Sequence, residues 1–342
     1  MASYLRRFLL TAAFSLASIG FASSDEVQKF YKGRNINFYI GFGPGGGYDT
    51  YARILARHMG RHVPGQPTIT PMNMPGGGGL TAANFLYNVA SRDGASIAMF
   101  GSFNALEAFF GNKNANLETL KFTWIGNMAV DSVACAVWRS SGITSVADMK
   151  NREVIFGSSG AASTTSQHVL AMQNLIGVKA KVVTGYNGTK EINLAMQRGE
   201  VEASCGINAS SALSQWGGDI KDGNLKVIIQ FGRKNHPIFA DAANIYDLLT
   251  SDEDKRTADL VFGANEIGRP VAAPPGIPAD RANALRNAFT TTVSDKEFLS
   301  DAARAGIPID PMSAAEVEKL FASFLANPPV IVARSLRAVG RN

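Results

Sequence analysis

Asn35-Ile36-Asn37-Phe38-Tyr39-Ile40-Gly41-Phe42-Gly43-Pro44-Gly45-Gly46-Gly47-Tyr48-Asp49-Thr50-Tyr51-Ala52-Arg53-Ile54-Leu55 runs from polar–apolar alternation, through a glycine-rich turn, into a segment with an apolar side. The alternation predicts a strand, and Ile54, Leu55 and Met59 on one face predict a helix over 51–59. Working outward, a second strand over 67–74 meets another glycine run and a helix over 80–90, and a third strand over 96–100 ends at Gly101-Ser102. Such β-loop-α alternation predicts a parallel sheet with helices on its faces. The series recurs: strand 153–156, loop 157–163, helix 164–176, strand 181–183, loop 184–189, helix 190–198, then strands 201–205 and 225–230. Two series of similar build imply two α/β lobes. Residues 280–342 read as mostly helical, over 280–293, 295–305 and 313–325, the last opened by the capping box Ser313-Ala314-Ala315-Glu316. Pro274, Pro275 and Pro278 mark the connection before them, and Asp252-Glu253-Asp254-Lys255-Arg256 reads as a solvated mixed-charge stretch.

The chain has 342 residues, enough for one large or two ordinary domains. Its 33 Lys+Arg against 28 Asp+Glu give a net charge of +5, too small and scattered for a nucleic-acid protein. Arg6 and Arg7 precede a short apolar run that ends in Gly20-Phe21-Ala22, the three parts of a secretory signal peptide cut after Ala22. The run is too short to span a bilayer comfortably, since a spanning helix takes about 20 apolar residues. Without it the balance is 31 against 28, or +3, and the protein is expected to be exported to the periplasm and soluble. Two cysteines exclude a disulfide-stapled scaffold and a Cys-rich metal cluster. In an oxidising compartment Cys135 and Cys205 either pair or stay as two buried thiols, and the sequence leaves both open.

The chemistry lies in the glycine loops. Gly41 to Gly46 matches G-x-G-x-x-G, but a dinucleotide site also needs an acid near the end of the second strand, which here reads Pro71-Met72-Asn73-Met74. No cofactor is expected. What the turn offers is main-chain N–H groups at a helix start, where about half a positive charge collects and a carboxylate is satisfied without Lys or Arg. Gly43 to Gly47 is one such cradle and Pro75-Gly76-Gly77-Gly78-Gly79 a second, both at the carboxyl edge of the strands. Gly157 to Ser163, with the hydroxyls of Ser158, Ser159 and Ser163 around Gly160, is a third, and Thr184-Gly185-Tyr186-Asn187-Gly188-Thr189 a fourth. Two loops per lobe converging on one small anion is the expectation.

Several residues carry two readings. Asp49 caps the first helix or contacts a ligand. His58 and His62, four apart with Met59 where H-E-x-x-H has Glu, read as a solvated helix end and not as metal ligands. His168 pairs with Ser159 or Ser163 in an exported hydrolase, or is a helix-face histidine. Phe103, Phe109 and Phe110 line a pocket or fill the core.

Pro44-Gly45-Gly46-Gly47-Tyr48-Asp49-Thr50-Tyr51-Ala52-Arg53 resembles the P-G-G-x-x-D-x-x-A-R signature of tripartite tricarboxylate transporter receptors, the Bug family. Asn73-Met74-Pro75-Gly76-Gly77-Gly78-Gly79 is similar to that family's N-x-P-G-x-G-G, and Arg92-Asp93-Gly94, the Ser158 loop, Gly185-Tyr186-Asn187-Gly188 and Ala272 to Pro278 follow in order. The likeness spans nearly the whole mature chain and is most specific in its first third. It implies an α/β, two-lobed, type II-like Venus-flytrap fold of the periplasmic-binding-protein kind, with lobe 1 from 23–129 plus 266–342 and lobe 2 from 130–265. It also implies a non-enzymatic monomer that captures a small carboxylate and delivers it to a permease of two membrane subunits. The family's carboxylate cradle carries over to Gly43–Gly47 and Gly76–Gly79, and Phe42, Tyr48, Asp49, Pro75 and Ser102 are further candidates for ligand contact. The chain departs from the family's V-P-Y-x-G at Val183-Thr184-Gly185-Tyr186-Asn187-Gly188, and has Gly206 then Asn208 where an Asp is usual. Tyr186, Asn187 and Ser163 are therefore expected to read the far end of the ligand. A sensory partner in place of a permease is the remaining alternative.

Overall fold

The computed structural model describes residues 25–341, and the leader read at 1–22 lies outside them. Among the described residues the strands are β1 (Asn35–Ile40), β2 (Thr68–Asn73), β3 (Ser96–Met99), β4 (Thr123–Asn127), β5 (Val133–Trp138) and β6 (Val154–Ser158). They continue as β7 (Ala180–Thr184), β8 (Ala203–Asn208), β9 (Leu225–Gln230), β10 (Ala243–Asn244), β11 (Pro270–Ala273) and β12 (Met312–Ser313). These form two sheets of six strands, ordered β2-β1-β3-β11-β4-β12 and β7-β6-β8-β5-β9-β10. The same order, second-first-third-return-fourth, appears in both. It is the two-lobed α/β architecture expected.

The parallel expectation holds for the first three strands of each sheet and for the short β9–β10 pair, and fails at β5 and β11. β1 runs parallel to β2 and β3, and β6 to β7 and β8, but β11 is antiparallel to β3 and β4, and β5 to β8 and β9. The reason is topological. β5 and β11 enter their sheets where the chain crosses between lobes, at the carboxyl edge of the parallel strands, and so run back down from it. The two crossings lie side by side: Met128 N–H donates to Arg269 O (3.0 Å), Gly268 N–H to Ala129 O (3.1 Å), and Val130 N–H to Asp310 O (2.8 Å).

Alternation along β1 decides how the first sheet is filled. Ile36, Phe38 and Ile40 face the helices Gly47–Met59, Ala279–Val293 and Lys296–Arg304, while Tyr39 points to the opposite face, toward the cluster of Phe100, Trp124 and Phe321. In the second sheet Ala134, Ala136 and Ile207 pack under Ile192 and Trp216, and Val133, Cys135 and Phe156 occupy the other side. Cys135 and Cys205 form a disulfide between neighbouring β5 and β8, with Cα atoms 3.9 Å apart. Phe103 and Phe110 are buried and stacked at 4.9 Å, so they belong to the core, and that core runs continuously into the second lobe through Phe231 and Phe262.

Two helices depart from the sequence reading. Asp252 to Arg256 opens a helix, Asp252–Gly263, capped by Ser251 Oγ accepting from Asp254 N–H (3.0 Å), with three acids where the helix dipole favours them. Pro329–Ala338 lies in the tail read as mostly helical but outside its three named helices; it packs on Asp252–Gly263 and on Thr164–Ile176, where Asn174 donates to the carbonyls of Arg337 and Ala338. The C-terminal tail thus reaches the helical layer of the second sheet. No described helix is long and apolar enough to cross a membrane.

Candidate functional site: the cleft between the lobes

The first glycine turn is built by one buried carboxylate. Gly46 is extended (φ −81°, ψ 173°) and Gly47 starts the helix with no side-chain cap. Asp49, two residues into the helix, accepts from Gly45 N–H (2.8 Å), Arg53 Nε (2.8 Å) and Asn73 Nδ2 (2.8 Å). Asn73 also donates to Phe42 O (2.9 Å), which ties the end of β2 to the turn. Burial alone would raise the Asp49 carboxyl, but the Arg53, Gly45 and Asn73 donors outweigh it and hold it below the usual range. Asp49 therefore shapes the turn from inside, with its oxygens spent on the loop. Among the described residues nothing accepts from the N–H groups of Gly46, Gly47 or Tyr48.

The four loops meet in pairs across the cleft. Gly43 N–H donates to Asn187 O (2.8 Å), joining the first loop to the fourth. The second meets the third backbone to backbone: a Cβ on Gly78 would lie 2.6 Å from Ser163 Cβ, and one on Gly160 would lie 2.6 Å from Gly78 N. Asn104 bolts this junction by donating to Gly78 O (3.1 Å) and Ala162 O (2.8 Å). Gly79 and Thr81 N–H both turn inward to Gly76 O.

Between the pairs lies a narrow cavity of ≈ 30 Å³. Of the residues singled out from sequence, Phe42, Gly46, Gly47, Tyr48, Ser159, Ser163 and Asn208 line it. Pro75 to Gly79 do not, nor do Gly43 and Gly45, which face Asn187 and Lys190 across the cleft. Ser102 is buried at the back, donating to Ala264 O (2.6 Å). Ser158 bonds Thr165 and Ser166, and Gly160 is covered by Gly78. Tyr186 packs against the second-lobe core, and the Asn187 amide is held by Glu191 (2.9 Å). Gly188 and Thr189, from the fourth loop read in the sequence, also line it, whereas sequence reasoning missed Thr164, Thr165, Ser211 and Arg269 as cavity lining. Thr164 and Thr165 begin helix Thr164–Ile176, one residue beyond the third loop, so extending that loop into the first turn of its helix would have found them. Arg269 carried no local signal at all.

The remaining candidates resolve structurally. His58 Nε2 meets Asp301 (3.0 Å) and His62 Nε2 meets Asp295 (3.1 Å), so both anchor one helix to the next and are not a solvated end. Hydrogen bonds from His58 and Arg57 hold Asp301 down at about 2. His168 is fully buried beside Phe231 (4.7 Å) and Phe262 (5.2 Å), and burial, partly offset by Asn265, lowers it to about 3. The Ser159 hydroxyl donates to Ser163 (2.9 Å), Ser163 bonds Thr165 (2.6 Å), and among the described residues neither nitrogen of His168 has a partner. The nucleophile–base contact a hydrolase needs is not formed.

No protein-family model and no curated protein matches the chain. Solved structures do. The periplasmic binding protein BugD is 18% identical over 86% of this chain and 96% of its own, with a TM-score of 0.67. MatC from Rhodopseudomonas palustris with bound malate is 17% identical over 87% and 99%, at 0.66. A second R. palustris protein, solved with adipate, is 17% identical over 89% and 97%, at 0.67. The chain has the two-lobed α/β fold of periplasmic solute-binding proteins.

Proposed function

From that fold, we propose that the chain is a periplasmic receptor of the tripartite tricarboxylate, or Bug, type. It captures a small organic carboxylate between its lobes, without covalent chemistry, and hands it to a permease of two membrane subunits. The observation that carries this is the set of unspent N–H groups at Gly46, Gly47 and Tyr48, at the positive end of a thirteen-residue helix, opening on a cavity that the second lobe closes with hydroxyls. Malate and adipate in the two R. palustris structures of like fold support a carboxylate as the class. A cavity of ≈ 30 Å³ has room for little more than a water. A ligand therefore enters when the lobes part about the ribbon of residues 128–131 and 267–270, and reclosure buries it where each charge-assisted hydrogen bond is stronger.

The test is a thermal-shift screen against mono-, di- and tricarboxylates, aromatic acids and amino acids, with each hit measured by calorimetry and checked for turnover. One ligand class is expected to raise the melting temperature and to be recovered unchanged. Ester hydrolysis lost on Ser159→Ala would replace this reading with the hydrolase. Co-purification with a histidine kinase instead of membrane permease subunits would move it to a sensory system.

A further inference from the structure

We propose that Arg269 is the cationic half of the anion subsite: a ligand carboxylate is held by its guanidinium together with the main-chain N–H groups of Gly46 to Tyr48. This rests on the receptor reading above and names the residue that makes the subsite selective. Arg269 is 0% exposed and lines the inter-lobe cavity. A guanidinium has five N–H donors. Here Nη1 donates to Gly268 O (2.7 Å), and Nη2 to Ser210 Oγ (3.0 Å) and Ser211 Oγ (3.0 Å), so three are spent and two are not. Nε is buried and has no partner among the described residues. Its faces lie against the rings of Tyr48 (4.6 Å) and Tyr51 (4.9 Å), which fix the plane.

The counter-charge is incomplete. Asp131 Oδ2 lies 3.8 Å from Nη2, beyond hydrogen-bond reach, and the carboxylate accepts instead from the hydroxyl and N–H of Ser210. Meanwhile Nη2 abuts the start of the Gly47–Met59 helix: a Cβ on Gly47 would sit 2.9 Å from it and 2.2 Å from Ser211 Oγ. A helix N-terminus and a guanidinium thus flank one small space, and the guanidinium's unspent donors are Nε and one hydrogen of Nη1, both Nη2 hydrogens being held by Ser210 and Ser211. An anion lying between them would add to the partial neutralisation that Asp131 gives from 3.8 Å. The ligand class this selects is an ionised carboxylate, with the amide of the same acid rejected.

The experiment uses succinate, L-malate and adipate, with their amides, as calorimetric probes on the mature chain and on Arg269→Gln and Arg269→Lys. The expected result is carboxylate binding by the wild type, at least a hundredfold loss in Arg269→Gln, a smaller loss in Arg269→Lys, and no amide binding. So that the test does not depend on Arg269→Gln folding, the wild-type Arg269 Nε–Hε resonance, assigned by its disappearance in Arg269→Lys, is followed in parallel; it should move downfield on carboxylate addition. Gly47→Ala, which pushes a methyl at Nη2, should weaken binding at least tenfold with the fold retained. Wild-type binding with Arg269→Gln within threefold, or with an unmoved Nε–Hε resonance, overturns this inference and leaves the receptor reading on backbone amides alone. No binding of any probe class by the wild type overturns the receptor reading, and this inference with it.

Discussion

The turns at 43–47 and 76–79 have nearly the same composition, follow parallel strands and open helices, yet they end differently. In the first, Asp49 organises the loop from behind, and three residues that line the cavity keep N–H groups with no acceptor among the described residues. In the second, every glycine takes a positive φ, Gly79 and Thr81 N–H close on Gly76 O, and Gly78 is covered by the Gly160–Ser163 loop of the other lobe. Glycine at a helix start gives only access to the backbone. Whether that access serves a ligand or another stretch of protein is decided by what folds against it. On the proposed receptor reading the first turn serves as the cradle; the second, in this closed arrangement, is a lobe-to-lobe seam.

The largest effect should come from placing a carboxylate in each turn. Gly47→Asp puts a negative charge beside Arg269, where the ligand's own would sit, and should lower affinity for the best probe more than a hundredfold by calorimetry. Gly77→Asp, at φ +57° but with no atom nearer than 3.5 Å to its Cβ, should cost about 1 kcal/mol of stability and less than tenfold in affinity. Equal losses in both would break the contrast and return the second turn to the ligand site, as the family resemblance implies.

Acid sharpens the comparison by separating binding from folding. His168 titrates near 3 when folded and near 6.5 when unfolded, so the unfolded chain binds the extra proton first. Its folded value is depressed, and stability should therefore fall by about 1.4 kcal/mol per pH unit from 6.5 downward. Asp49 is also depressed, but as a carboxylate its contribution is complete above its ordinary value of 3.8 and declines only below that. Between pH 6.5 and 4.5 the difference between wild type and His168→Phe should grow to about 2–3 kcal/mol in urea melts, while any surviving ligand affinity follows only the ligand's own pKa. A constant difference across that window would mean the ring is protonated or solvated in the folded chain.

Asp49→Ala tests whether the first turn is shaped by its internal carboxylate. It removes acceptors from Gly45 N–H, Arg53 and Asn73, and should cost about 2 kcal/mol in stability, with a comparable loss in binding because Gly46 and Gly47 are no longer held. Unchanged binding in a destabilised chain would show that the turn is fixed by β1 and the helix alone.

How much of this was legible follows the range of the interactions. Helix Thr164–Ile176 is readable to the residue, since Ser163 caps it by accepting from Thr165 N–H and Gly177 ends it at φ 75°, both local signals. β1 is equally plain from its alternation. β11 and β5 could be seen as apolar runs, but their antiparallel sense depends on where the chain crosses between lobes, which no short window contains. Arg269 is the extreme case. In Gly268-Arg269-Pro270 it looks like a turn residue, and its burial is created by Tyr48, Tyr51, Ser210 and Ser211, up to 221 positions away. The glycine loops were found; which of them would face a cavity was set by closure.

The smallest effect, and the most direct on closure, belongs to Gly78→Ala. At φ +71° an Ala costs about 1 kcal/mol wherever it stands, and here its methyl would also lie 2.6 Å from Ser163 Cβ and 2.8 Å from Ser163 N. Those are rigid atoms at the N-cap of Thr164–Ile176, so the strain is relieved most cheaply by moving one lobe from the other. The cavity residues of the first turn are untouched. Affinity should fall about tenfold through a penalty on the closed state, and the radius of gyration in solution should rise and recover on saturation with the probe. Gly160→Ala, which strikes Gly78 N from the opposite side, should reproduce both changes. If either variant binds as tightly as the wild type and keeps its radius, the seam between the second and third loops is not part of the ligand-holding state, and the distinction between cradle and seam fails at its second half.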